Sequence, residues 1–110
     1  MTHAEVNLDR GYAVVALQGE IDLYSSPQAR ELILGCLEEG RPTLVDLSAV
    51  SYIDSSGVAS LVEGLQKARA GGLAFALIGV SEAAMKVLQL ARLDTVFDVY
   101  SGIDACPAVS

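Results

Sequence analysis

The sequence has few of the residues that carry metal, redox or nucleophilic chemistry. Its 110 residues include one histidine, two cysteines and no tryptophan. Cys36 and Cys106 lack the spacing of metal and redox motifs, and Cys36 falls on the apolar stripe of a predicted helix. The histidine, His3, stands near the start of the chain, so a serine or cysteine nucleophile has no evident base. We therefore expect that the protein binds neither a metal nor a cofactor and that it is not an enzyme.

Basic residues are scarce, and long apolar runs are missing. Seven Lys and Arg against fourteen Asp and Glu give a formal net charge of −7. Nucleic acids and anionic membranes both require a basic face, so neither is expected as a partner, whereas a basic protein surface is compatible. No apolar run reaches the roughly 18 residues that span a bilayer. The start of the chain also lacks signal-peptide character, so we expect a cytoplasmic protein.

What the sequence does contain is aliphatic residues in an alternating pattern of strands and helices. The hydrophobic fraction is 52%, mostly Val, Leu, Ile and Ala, which is typical of an α/β domain. The predicted order is β-β-α-β-α-β-α-β. Strands are predicted at 4–9, 12–18, 43–47, 73–80 and 96–100, and helices are predicted to open at Ser25-Ser26-Pro27, at Ser55 or Ser56, and at Ser81.

This order predicts one α/β domain over residues 1–110, with a core at about 4–100. Alternating strands and helices with short links imply right-handed crossovers and a mostly parallel, mixed sheet of about five strands flanked by helices. The first strand is predicted to pair antiparallel, as a hairpin edge turning at Arg10-Gly11. Residues 101–110 are predicted to form a loose tail with a short helical turn.

A short polar segment, Asp54-Ser55-Ser56-Gly57, follows an apolar strand-like run and precedes a stretch with helical spacing. The plainest interpretation is helix capping, because Asp and Ser oxygens accept hydrogen bonds from the free amides of a first helical turn. One cap needs one residue, however, and this segment offers several. It also lies at the carboxyl end of a predicted parallel strand, where open α/β sheets place binding sites.

Gly57 also has a functional and a structural interpretation. A glycine inside the first turn of a helix costs roughly 1 kcal/mol relative to alanine. That cost is explained if a partner must approach the backbone closely. The alternative interpretation is close packing of Gly57 against the end of a neighbouring strand.

Three segments together resemble the STAS domain of bacterial anti-sigma-factor antagonists. They are residues 19–22, GEID; residues 45–47, VDL; and residues 52–57, YIDSSG. The segment LIGVSEAAMKVLQLARLDTVFDVY is similar to the usual ending of that family, and the resemblance covers roughly residues 4–100. The combination of GEID and DSSG at this separation is specific. It implies the STAS fold.

The resemblance also implies a phosphorylation switch in a protein that is not an enzyme. Unmodified family members bind an anti-sigma factor that is also a serine kinase, and they are released when that kinase phosphorylates the serine after the motif's aspartate. That serine corresponds to Ser55, with Ser56 as the nearest rival. A serine phosphatase reverses the step. ATP and magnesium belong to the kinase, and the antagonist is expected to be a monomer or weak dimer.

The resemblance assigns the partner-binding surface as well. Asp22 matches the acidic position that helps to contact the kinase, and Asp54, Ser56 and Gly57 match positions around the phosphorylated serine. Tyr24, in the turn after Asp22, and Met85, off the inner face of the third helix, are candidate extensions of that surface. For Met85 simple packing is the commoner role.

Two other functions fit the same resemblance. The chain could be a STAS accessory subunit of an ABC transporter, as in lipid-trafficking systems, where it binds the ATPase without obligatory phosphorylation. It could also be a STAS scaffold in a larger signalling complex. The DSSG segment favours the phosphorylated antagonist, because the transporter subunits resemble it less at this loop.

Overall fold

The computed structural model describes residues 3–109, which form one five-stranded sheet and three α-helices. The element order matches the predicted one, and the predicted fold class is confirmed. In chain order the elements are β1 His3–Asp9, β2 Tyr12–Ile21, α1 Ser26–Glu38, β3 Thr43–Ile53, α2 Ser55–Gly71, β4 Phe75–Ile78, α3 Glu82–Leu90, β5 Asp98–Tyr100 and a single-turn 3-10 helix at Ile103–Ala105.

The sheet order follows the chain order, β1-β2-β3-β4-β5. β1 pairs antiparallel with β2, and the remaining neighbours are parallel. The β1–β2 hairpin turns at Arg10 and Gly11, which have φ angles of 52° and 87°. Two consecutive residues with positive φ are the signature of the tight hairpin turn that fits the natural twist of the strands.

β2 and β3 are longer than predicted, since they continue to Ile21 and Ile53. The pairing register shifts twice, between Ala16 and Gln18 and between Gly19 and Glu20. Each shift inserts an extra residue into β3, so from Leu47 onward its buried residues recur at every third position. That spacing is not the alternation by which strands are recognised, because β-bulges interrupt it. β4 and β5 are shorter than predicted.

All three helices pack on one face of the sheet. Because the strands progress in order across the sheet, right-handed crossovers return each helix over the same side. Cys36 is buried in this core, as predicted. The principal side chains of the core are Val15, Leu17, Ile33, Val45, Leu47, Leu61, Leu77 and Leu88.

The opposite face of the sheet is covered by the C-terminal segment, which corrects the expectation of a loose tail. The segment forms the predicted helical turn, and Ile103 and Cys106 pack against the apolar residues of this face. The Tyr12 hydroxyl donates a hydrogen bond of 2.6 Å to the Pro107 carbonyl, and Arg10 forms an ion pair with Asp104. An apolar sheet face requires such a cover. Ser110 lies outside the described residues.

The parallel strands all point the same way, so their carboxyl ends, and the helices that begin there, share one edge of the sheet. The extended ends of β2 and β3 carry the predicted site residues to that edge. No helix within residues 3–109 has the length and apolar character of a membrane span.

Candidate functional site

The candidate site forms where β2 and β3 end side by side. Ile21 and Ile53 are partners in the parallel pairing, and the Asp54 backbone N–H donates to the Ile21 carbonyl over 3.1 Å. The pairing therefore brings the turn after Ile21, which begins with Asp22, next to the start of α2. The resemblance to STAS domains had assigned Asp22 and Asp54 to one surface.

Asp54 is the N-cap of α2, which settles which of the candidate residues caps the helix. Its Oδ1 atom accepts hydrogen bonds from the backbone N–H of Ser56, at 2.9 Å, and of Gly57, at 3.2 Å. It also accepts the Ser56 hydroxyl at 2.5 Å. That hydroxyl, with the N–H groups of Gly57, Ser56 and Leu23, holds the pKa of the Asp54 carboxyl below its usual value, against the opposing effect of desolvation.

Ser55 and Ser56 lie in different environments. Ser55 is the first residue of α2, its side chain is exposed, and its hydroxyl makes no hydrogen bond to any residue among 3–109. Ser56 is half-buried, and its hydroxyl is held by Asp54. A reagent arriving from solvent therefore finds the Ser55 oxygen open and the Ser56 oxygen engaged.

Gly57 is buried, and the reason is close packing. A Cβ atom at this position would lie 2.6 Å from Cγ1 of Ile53 and 2.9 Å from Cγ2 of Ile21. Neither contact is sterically acceptable. The structure therefore supports the packing interpretation of Gly57, and its contact with a partner stays a prediction. Its role is to let the first turn of α2 sit against the ends of β2 and β3.

Asp22 shapes the turn between β2 and α1. Its Oδ1 atom accepts the backbone N–H of Tyr24 at 3.0 Å and of Ser25 at 3.1 Å, and it lies 3.2 Å from the Ser25 hydroxyl. Ser25 is the N-cap residue of α1, where the sequence predicted the helix to open, but its side chain accepts no hydrogen bond from an amide of that helix. Asp22 thus has a structural role, and its contact with a partner stays a prediction.

This turn presents two large apolar side chains to solvent. Tyr24 is 92% exposed and Leu23 is 69% exposed. Leu23 was not among the predicted site residues. Its backbone N–H contributes to the lowered pKa of the Asp54 carboxyl, so Leu23 lies beside the start of α2. The signal in the sequence was the pair of bulky apolar residues between Asp22 and two serines, where a turn is normally polar.

Met85 lies one turn into α3 and is half-buried. α3 is fixed to β3 through Ser81, whose hydroxyl donates to the Val50 carbonyl over 2.7 Å. Ser81 also caps α3 by accepting the Ala84 N–H at 3.2 Å. The partner contact predicted for Met85 stays a prediction. Among residues 3–109 no three potential metal ligands cluster together.

The fold is that of a small α/β domain with a sequentially ordered mixed sheet, helices on one face and an Asp-Ser-Ser-Gly segment at the start of the second helix. The family model described as "STAS domain" matches residues 3–106. The chain therefore belongs to the STAS domain family, as the sequence predicted.

Individual relatives narrow the comparison. The anti-sigma-B factor antagonist of Bacillus subtilis (strain 168) is 31% identical over 85 residues, which cover 77% of this chain and 78% of the relative. The crystal structure of an anti-sigma factor antagonist from Mycobacterium paratuberculosis is 27% identical with a TM-score of 0.82, covering 94% of this chain and 89% of that one. An anti-sigma-factor antagonist (STAS) domain protein from Planctomyces limnophilus, at 24% identity and a TM-score of 0.79 over 92% of both chains, shows the fold alone.

Proposed function

We propose that this chain is an anti-sigma-factor antagonist controlled by phosphorylation of Ser55. In the unmodified state it binds an anti-sigma factor that is also a serine kinase, and phosphorylation ends that binding. The family membership and the relatives named anti-sigma-B factor antagonists support the class of function. They favour it over the transporter-subunit hypothesis.

The single observation that carries the proposal is the state of the Ser55 hydroxyl. It is exposed, makes no hydrogen bond within residues 3–109, and stands at the first position of a 17-residue helix. The neighbouring Ser56 hydroxyl is both half-buried and bonded to Asp54. A kinase active site can therefore reach Ser55 without unfolding α2, whereas reaching Ser56 requires breaking the cap.

The reaction itself belongs to the kinase. The Ser55 oxygen forms a bond to the γ-phosphorus of ATP while the bond from that phosphorus to the bridging oxygen of ADP breaks. The hydroxyl proton passes to a base of the kinase, and ATP and its magnesium ion are held by the kinase. A phosphatase restores the hydroxyl by hydrolysis. Because the reaction uses ATP, we place the protein in the cytoplasm.

The electrostatics explain how one phosphate can end binding while the fold persists. A helix N-terminus stabilises an anion through its free amides and its dipole, so α2 tolerates the group. The phosphate adds about −1.5 to −2 charge units to a chain that already carries −7. It arrives next to the ionised Asp54, so the local surface becomes more negative and bulkier. A partner that packs on the bare hydroxyl is displaced.

The exposed apolar side chains beside the serine supply the contact area that this partner would bury. Leu23 and Tyr24 project from the turn that is joined to Asp54, and few other described residues of that size are as exposed. Exposed aromatic and aliphatic side chains of this kind are typical centres of protein interfaces. Phosphorylation of Ser55 would then place charge at the rim of an apolar contact.

The first experiment identifies the partner. The Ser55→Ala protein, immobilised, is used to capture binding proteins from extracts of the source cells, and mass spectrometry identifies them. A captured protein with a serine-kinase ATPase domain supports the proposal. Capture of a transporter nucleotide-binding subunit in its place would support the accessory-subunit hypothesis and contradict ours.

The second experiment locates the phosphate. The captured kinase is purified and incubated with ATP and magnesium and with wild type, Ser55→Ala or Ser56→Ala, and the products are mapped by mass spectrometry. Wild type and Ser56→Ala should each gain one phosphate on Ser55, and Ser55→Ala should gain none. Ser55→Asp should bind the kinase at least about tenfold more weakly than wild type. Phosphate on any other residue of the wild type would overturn the assignment.

A further inference from the structure

β1 is the long free edge of the sheet. It spans seven residues, His3–Asp9, whereas β5 at the other edge spans three. The two-residue turn at Arg10 and Gly11 makes Asp9 and Tyr12 the closing pair of the hairpin. In such a hairpin the closing pair exchanges both hydrogen bonds, and the bonding alternates from there along the strand.

This alternation fixes which backbone groups of β1 point away from the sheet. The residues at odd positions bond to β2, so the N–H and C=O groups of Ala4, Val6 and Leu8 face outward. Such a row is a template for another strand, and proteins commonly protect it with charged side chains or a bulge. The pairing of β1 with β2 is regular along its whole length, so no bulge interrupts it.

The side chains of the same three residues are apolar and share one face of the sheet. Val6 and Leu8 pair with Val15 and Ala13 of the helix-side core, so they lie on that face of the sheet. They are nevertheless 39% and 64% exposed, because the core stops short of the edge. The residues whose backbone groups face outward, Ala4, Val6 and Leu8, therefore have uncharged side chains.

We propose that β1 is a self-association surface on which a second copy of this chain adds its own β1 antiparallel, about a two-fold axis at Val6. In that register Val6 lies opposite Val6 of the second copy, and Ala4 lies opposite Leu8. All three outward-facing residues of each strand then form backbone hydrogen bonds. The exposed parts of Val6 and Leu8 become contacts between the copies.

The acidic residues of β1 select this register over its neighbours. With the axis at Val6, Glu5 lies opposite Asn7, and Asp9 lies opposite position 3, which is not acidic. A register shifted by two residues one way places Glu5 opposite Glu5, and a shift the other way places Glu5 opposite Asp9. Like charges directly opposite each other destabilise a strand pair.

The proposed dimer goes beyond the proposed function and is separable from it. The two-fold axis joins the sheets of both copies into one continuous sheet and keeps the helices of both on the same side. Because the β1 strands of the two copies run antiparallel, the two Ser55 residues lie at opposite ends of the joined sheet. Each is therefore open to a kinase, and phosphorylation should leave the dimer unchanged.

Sedimentation velocity tests the association over protein concentrations from about 10 μM to about 1 mM, the range of a weak dimer. Wild type should shift from monomer to dimer within this range. Val6→Lys, which sets two like charges on the axis, should raise the Kd at least about tenfold. Leu90→Lys is the matched control, because Leu90 is 85% exposed on α3, and it should behave as wild type.

Circular dichroism checks that Val6→Lys is folded, and the phosphorylation assay should give the same result with it as with wild type. A wild-type protein that stays monomeric to the highest concentration would overturn the proposal, as would a dimer that Val6→Lys leaves intact. Either outcome would leave the assignment of Ser55 untouched.

Disulfide trapping tests the register in a Cys106→Ser background. The Cα atoms of a hydrogen-bonded antiparallel pair lie about 5.5 Å apart, which is within the range of about 4.4–6.8 Å that a disulfide bridges. Val6→Cys should therefore form a covalent dimer on mild oxidation. Leu8→Cys alone should not, and a mixture of Ala4→Cys and Leu8→Cys proteins should. Equal trapping of Leu8→Cys alone would contradict the register.

Discussion

The backbone of Gly57 packs so closely against the side chain of Ile53 that no residue larger than glycine fits at position 57. A Cβ atom on Gly57 would lie 2.6 Å from Ile53 Cγ1, and that atom is near the backbone of a fully buried residue. The first turn of α2 therefore sits as close to the end of β3 as glycine permits. This contact sets where the Ser55 hydroxyl stands.

Gly57→Ala should destabilise the protein by about 1–3 kcal/mol, the usual cost of overpacking a core. Gly35→Ala is the matched control, because a Cβ atom on Gly35, inside α1, meets nothing within 4 Å. It should stabilise the protein by about 0.5–1 kcal/mol, since alanine is the better helix former. Urea denaturation followed by circular dichroism measures both. Equal effects would contradict the packing role of Gly57.

Asp54 should make stability depend on pH in the acid range. Its pKa in the folded protein is held below the usual value, chiefly by the Ser56 hydroxyl. A lowered folded pKa means that the stabilisation is fully present above the unfolded-state pKa of about 3.9 and is lost as the pH falls through the folded value. Asp54→Asn, which still accepts the amides, should show a shallower loss of Tm below about pH 4.

The control for this prediction is Ser56→Ala. It removes the hydroxyl that contributes most to the lowered pKa of Asp54, so the folded and unfolded pKa values lie closer together and the loss of Tm in acid should be smaller than in wild type. If Asp54→Asn and wild type lose Tm in parallel, the carboxylate does not contribute as described.

Charge at position 55 should leave the fold intact, whereas charge at position 56 should not. Ser55→Asp adds a carboxylate to an exposed first helical position, where the helix dipole favours it. Ser56→Asp removes a hydrogen bond to the Asp54 carboxylate and sets a second carboxylate beside it. We expect Ser55→Asp to keep the wild-type stability and Ser56→Asp to lose about 1–3 kcal/mol. Thermal denaturation of both variants decides the matter.

The bond between the Tyr12 hydroxyl and the Pro107 carbonyl should hold the C-terminal segment on the sheet. Tyr12→Phe should cost about 1 kcal/mol and should speed cleavage of residues 101–109 by a nonspecific protease. Tyr100→Phe is the control, since the Tyr100 hydroxyl makes no hydrogen bond within residues 3–109. Equal protease sensitivity of the two variants would mean that packing alone holds the segment.

The order of elements could be predicted from the sequence because each helix and strand buries a clear apolar face. The strand ends could not. Past Leu47 the buried residues of β3 are spaced by three, because two bulges add residues that have no partner in β2. Whether such a segment continues as a strand depends on its pairing with the neighbouring strand, and the local pattern of apolar residues does not show that pairing.

The site was predictable in its location but not in its division of roles. The motif places Asp54, Ser55 and Ser56 at a strand–helix junction, yet all three are good helix caps by composition. Only the hydrogen bonds of Asp54 to the amides of Ser56 and Gly57 in the structure show which of the three caps the helix. The two interpretations of Gly57 could not be separated, and the C-terminal segment was misjudged, for a similar reason, since both depend on contacts with residues distant in sequence.

The sequential strand order has a consequence for how this architecture can grow. Each strand and its helix are displaced from the preceding pair in the same direction, as repeats are in solenoid proteins. A further strand–helix unit could be appended beyond β5 without rethreading the chain. The chain takes another course after the three-residue β5, because the following segment, as far as residue 109, crosses the opposite face of the sheet to Tyr12 and adds no strand.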